Sequence, residues 1–283
     1  MTTTKASKGK APEQPKQEIV PQPAATSLVT SGAEFEAFAG QGLENITSKD
    51  LLVSRLGILQ SLSPQLKRTK QQYIPEAEEG QICDLAMGTL FPEGVWFLPV
   101  LFRKDYLEWH PRESGRGLAA VHGDDSILRL CRQDEKRRNV LPSGNYVVET
   151  AQFFGLNLHA RGAWCFLPMT STQLRKARQW NMLATSERLN RADGSEFQPP
   201  MWYRTYRLTT AHESNAEGDW HGWKIERDVA LPQINREEHG FDWHSLKESA
   251  IRFQTALSTG DVKAAVVQED DDSQDSSSAE GAM

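Results

Sequence analysis

Hydrophobic positions along the chain alternate between period-two runs and two helical stripes. The first structured segment begins near Leu43. Thr47-Ser48-Lys49-Asp50 offers a capping residue, and Leu51, Leu52, Leu56 and Leu59 follow at mixed helical spacing. That pattern predicts a short helix, ended before Pro64. Residues 81–91 and 95–109 then read as strands, with Pro99 pointing to an edge position or a bulge in the second. A Gly- and charge-rich connection follows between Pro111 and Pro142, holding one short helix at 126–132. Residues 145–158 read as a strand with a bulge at Gly155, and 164–168 as a shorter strand. Ser171 is placed to cap a helix whose stripe is Leu174, Ala177, Trp180 and Ala184. Residues 202–210 and 220–229 predict a hairpin across the polar loop 211–219, and 243–257 a last amphipathic helix. Five or six strands, an inserted helix and a C-terminal helix give a β-rich α+β class. The expected architecture is an OB-like antiparallel barrel with disordered termini; a sandwich is the alternative.

Composition divides the chain into an N-terminal arm (1–40), a core (41–260) and a C-terminal tail (261–283). The arm is rich in Thr, Lys, Pro, Gln and Ala. It offers too little apolar surface to offset chain entropy, so it reads as disordered. The formal net charge is −6. Residues 264–283 hold six acids (Glu269, Asp270, Asp271, Asp272, Asp275 and Glu280) and no Lys or Arg. Removing these six from the 38 acids leaves 32, against 32 Lys and Arg. The excess negative charge therefore lies in the tail, which reads as an interaction arm with Glu269, Asp270, Asp271 and Asp272 as its partner-binding residues. No apolar run approaches the ~20 residues of a membrane span, and the first residues lead into no apolar signal segment. Cys83, Cys131 and Cys165 are odd in number and widely spaced, which predicts neither a disulfide framework nor a metal site. A reducing cytoplasm is the expected compartment.

Candidate chemistry lies in mixtures of aromatic and basic residues. Trp202-Tyr203-Arg204-Thr205-Tyr206-Arg207 interleaves the two types. With period two, Trp202, Arg204 and Tyr206 point one way and Tyr203, Thr205 and Arg207 the other. Base stacking and phosphate contact need this mixture. The competing reading is a strand whose aromatics pack inward while its arginines pair with acids. Arg175, Lys176 and Arg178 place three positive charges within about one helical turn. Arg103, Lys104, Trp109, Arg112 and Arg116 form a second tier, the last in the turn Gly115-Arg116-Gly117. Arg132, Lys136, Arg137 and Arg138 are interrupted by acids and read as surface charge. No P-loop, GxGxxG, GxSxG or HExxH motif is present. The seven histidines have no metal-site spacing, so no catalytic residue, metal ligand or cofactor is assigned.

The layout resembles a group of bacteriophage single-stranded DNA-binding proteins: a β-rich core, aromatic and basic strands, and an acidic tail after the last helix. Leu52-Val53-Ser54-Arg55-Leu56 and residues 145–158, 171–178 and 204–210 carry the resemblance, which covers roughly 43–229 plus the tail. It implies an OB barrel and a non-enzymatic role in DNA replication or recombination. It also implies a tail that recruits polymerase-, helicase- or primase-type partners and restrains DNA binding until a strand is present. The core departs from the pattern in being larger than one minimal OB barrel. Self-association stays open. The competing functions are a protein-binding adaptor or transcription regulator using the same tail, and a metal-dependent nuclease.

Overall fold

A computed structural model describes Gln41, Gly42, Glu44, Asn45, Asp50, residues 53–216 and residues 218–260. The chain divides into two units, 1–46 and 47–283, and every strand and helix named here belongs to the second. The proposed N-terminal arm and the acidic tail lie outside the described residues.

In chain order the elements are β1 (Ser54–Ile58), β2 (Ile82–Asp84), β3 (Thr89–Phe91), β4 (Val95–Trp109), β5 (Leu118–His122), β6 (Arg132–Gln133), β7 (Asn139–Val140), β8 (Tyr146–Asn157) and β9 (Ala163–Met169). Helix α1 (Leu174–Thr185) is followed by β10 (Leu189–Asn190), β11 (Glu196–Phe197), β12 (Arg204–Asn215), β13 (Gly218–Ala230), α2 (Arg236–His239) and α3 (Trp243–Thr259). The main sheet runs β13-β12-β4-β8-β9-β1-β2-β3 and curls into a half-barrel. Its neighbours are antiparallel except β1 and β9, which are parallel. Strand β5 is added to the far end of β4, while β7 joins β8 and carries β6.

Period-two alternation divides the side chains of the central strands between two cores. One face of the sheet, here called the inner one, gathers Leu56, Phe97, Phe153, Leu167, Tyr206, Leu208 and Trp223 around α1. Trp180 of α1 is fully buried there, stacked on Phe153 at 4.0 Å and edge-on to Phe97 and Tyr206. The outer face gathers Leu98, Val100, Phe154, Leu156 and Phe166 against Leu246, Ala250, Phe253 and Ala256. Those four recur at helical spacing on α3, with Asp242 capping the Ser245 N–H. The sheet is thus covered by one helix on each face.

The β-rich core, the strand 95–109, the hairpin and the last helix agree with the sequence pattern. The predicted helix over Leu51, Leu52, Leu56 and Leu59 is corrected: 54–58 is β1, paired with β2 and β9. Mixed apolar spacing fits either period, and pairing on both edges decides for the strand. Residues 81–91 form a β2–β3 hairpin, because Asp84 Oδ1 accepts the Ala86 and Met87 N–H groups and turns the chain. The bulge expected at Gly155 lies across from it in β4, between Pro99 and Leu101. Gly155 is what permits the close approach: a Cβ there would lie 2.4 Å from Leu98 O. The short helix expected at 126–132 is a 3-10 helix over Asp125–Leu130. Ser171 makes no capping hydrogen bond and begins a 3-10 turn that leads into α1. The polar loop 211–219 is mostly ladder, since β12 and β13 stay paired out to Asn215 and Gly218. Trp202 and Tyr203 belong to a 3-10 turn before β12 and do not extend its alternation.

Candidate nucleic-acid interface

Helix α1 is LRKARQWNMLAT, which contains three cations and no acid. Burying Ala177 and Trp180 turns Arg175, Arg178, Gln179 and Met182 outward at spacings of three and four. All four are exposed, Met182 with 71% of its surface free, among the most open of the large apolar side chains. Among the described residues neither Arg175 nor Arg178 has an ion-pair partner. Lys176 differs: it faces the hairpin, where its ammonium pairs with Glu213. Glu213 also accepts the Trp220 indole N–H at 2.9 Å. At the other end of α1, Arg227 of β13 donates to Leu183 O and to Ser186 Oγ.

The β12 candidates divide. Tyr206 is a correction: only 1% exposed, it packs against Trp180 in the inner core and is closed to a base. Burial raises its phenol above the ordinary value. Arg204 donates to both Glu187 oxygens, at 2.7 and 3.0 Å, and to Asp228 O. The Arg204 hydrogen bond holds the Glu187 carboxyl below its usual range. Arg207 donates to Glu93 O. Tyr203 remains partly exposed, beside a cavity of about 10 Å³ lined by Glu187, Pro200, Met201 and Arg204. That is room for one water molecule, not for a base.

The second-tier residues lie elsewhere on β4 and beyond it. Arg103 pairs with buried Asp105 at 2.7 Å, and Lys104 with Glu149 at 3.0 Å. Trp109 is partly buried at the strand's end, between Leu118 and Tyr146. Arg112 and Arg116 are exposed around the 3-10 turn Arg112–Ser114, where Gly115 takes φ +64°. Strand β12 meets β4 at Val95–Phe97. Trp109 lies twelve residues beyond Phe97, roughly 40 Å of extended chain. The structure therefore brings Arg175, Lys176 and Arg178 together with Tyr203 and Arg204 around α1, and leaves Trp109, Arg112 and Arg116 at the far end of the sheet. Met182 and Arg227 were not singled out from the sequence. Met182 sits on the same helical face as Arg175 and Arg178, and that spacing was a readable signal. Arg227 depends on its register with Tyr206 across the hairpin. Glu269, Asp270, Asp271 and Asp272 lie outside the described residues.

Among the described residues no three His, Cys, Asp or Glu side chains are grouped to hold a metal, and no helix is long and apolar enough to cross a membrane. Fold and surface together define a β-rich protein with a cationic helix laid in a curled sheet. Residues 24–262 match the family model described as Pam3 phage gp34-like protein, and the chain belongs to that phage-associated family. Comparison with curated proteins and with solved structures gives no match.

Proposed function

We propose that this protein binds single-stranded DNA in phage replication or recombination. The observation that supports this reading is the outer face of α1: Arg175 and Arg178, exposed and without carboxylate partners among the described residues, beside exposed Met182. Two guanidinium groups would meet phosphates, and the apolar side chain one turn beyond Arg178 would lie against a base. Tyr203 and Arg204 extend the track at the end of the helix. In this reading the curled sheet serves as an OB-like platform, and the acidic tail competes with DNA for the α1 surface and recruits replication or recombination proteins.

Titration of the full chain with labelled oligo-dT over a salt series tests the proposal. Binding that weakens steeply with salt, and weakens further in the Arg175→Ala/Arg178→Ala variant, is the expected result. No salt-sensitive binding by the full chain or by a chain ending at Gly260 overturns it, and retention of a protein partner without oligo-dT binding would point to the adaptor instead.

A further inference from the structure

The sheet treats its open edges differently. Beyond β13 the Gln60 side chain accepts the His221 N–H at 2.9 Å and donates to His221 O at 2.8 Å, and Gln173 accepts the Trp223 N–H at 3.1 Å. Two glutamines thus occupy backbone groups that a further strand would use. Strand β3 is only three residues long. Strand β5 has neither of these, and its register with β4 skips Ala119 at a bulge between Glu108 and Trp109. Among the described residues it pairs only with β4, through Leu118, Ala120, Val121 and His122. Its sequence, Leu-Ala-Ala-Val-His, contains no Lys and no Pro, the residues that usually discourage edge-to-edge pairing. Ala119 and Val121 are exposed, Val121 at 50%.

We propose that β5 is a self-association edge, at which two copies of this chain pair antiparallel through Leu118–His122 and continue the sheet across a two-fold axis. The segment is self-complementary about Ala120. Antiparallel pairing centred there sets Ala119 opposite Val121 and Leu118 opposite His122 of the second copy, so that no two like-charged acids or bases face each other. Gly117 and Gly123 flank the strand at equal distances and add no side chain at either end. Beyond them Arg116 precedes the strand and Asp124 follows it. Each copy's exposed Arg116 therefore arrives at the Asp124 end of the other. Asp124 Oδ1 accepts the Ser126 N–H at 2.8 Å, and hydrogen bonds from the Ser126 side chain and then its backbone hold this carboxyl below its ordinary range. This charge complementarity, repeated twice by symmetry, is what favours a second copy over an arbitrary extended peptide. The inference is independent of DNA binding.

Sedimentation velocity of the full chain over a concentration series tests the pairing. Concentration-dependent dimer is expected, with Val121→Lys shifting it to monomer and Val121→Thr, which keeps the β-branched shape, leaving it in place. Val121 is half exposed, so the lysine variant should keep its melting temperature. Ala120→Cys supplies the second measurement. Ala120 faces its own copy across the axis at a Cα separation of about 4.5–5.5 Å, within disulfide reach. Copper phenanthroline would oxidise the two thiols, removing two electrons and two protons, to a covalent dimer that the wild type does not form. A monomer at every concentration, an unchanged dimer in Val121→Lys, or a dimer that Ala120→Cys fails to crosslink would overturn the proposal.

Discussion

Glu108 shows how much one polar position contributes at the far end of the sheet. Its carboxylate accepts Asn145 Nδ2 at 2.5 Å and His122 Nε2 at 2.9 Å, and Asn145 in turn meets His110 Nδ1 at 3.2 Å. The Asn145 hydrogen bond, followed by that of His122, lowers the Glu108 pKa. A carboxyl with a lower pKa in the folded chain than in the unfolded one stabilises the fold fully above its unfolded value of ~4.3. That contribution is lost as pH falls through the lower, folded value. Urea midpoints measured between pH 3 and 7 should therefore fall on acidification, and Glu108→Gln should flatten that part of the profile. Equal acid dependence in the two proteins would show that the network carries no such linkage. Tyr206 makes the opposite point at the same scale. Aromatic and basic residues alternate in a DNA-stacking strand and also in a strand with one buried face. Only the packing against Trp180 distinguishes the two.

At the scale of the element, α1 carries both the inner core and the candidate surface. Trp180 is its anchor, touching Phe97, Phe153 and Tyr206. Trp180→Ala should cost about 3–5 kcal/mol in chemical denaturation, as large-to-small changes in a close-packed core do. Arg175→Ala/Arg178→Ala should leave that stability unchanged, since both side chains are exposed. On single strands it should reduce the slope of log affinity against log salt by about 1.4, at ~0.7 per lost phosphate contact. A double variant with the wild-type slope would remove α1 from the interface. Helices α1 and α3 were legible in the sequence, because Ala177 with Trp180, and Leu246 with Ala250, Phe253 and Ala256, repeat at helical spacing. Strands β4 and β8 were legible through their length. Strand β1 was not, because its identity depends on pairing Ser54 with Cys165, a contact far away in the chain that leaves no local signature. The α1 surface was half legible: its three cations were read, but Lys176 is turned away from solvent by Glu213 on a strand the sequence had assigned to a loop.

For the whole molecule, charge placement decides how the proposed interface would be regulated. The 32 Lys and Arg balance the acids outside 264–283, so any affinity for a polyanion has to come from local concentration of cations. Some of the positive charge is already matched within the fold: Arg103 by Asp105, Lys104 by Glu149, Arg204 by Glu187 and Lys224 by Glu226. In the proposed interface the arginines of α1, without ion-pair partners among the described residues, would be the shared target of a DNA strand and the chain's own acidic tail. Screening over ~8 Å at physiological salt limits that competition to direct contact. A chain ending at Gly260 should accordingly bind oligo-dT several-fold more tightly than the full chain at low salt, since loss of a competing polyanion acts through the same counterion term. The two should converge as salt rises, and Arg175→Ala/Arg178→Ala should shrink the difference, because the tail and the strand would lose the same contacts. Equal affinities at low salt would mean that the tail does not reach this surface, and a difference that persists in the double variant would place its contact elsewhere on the core.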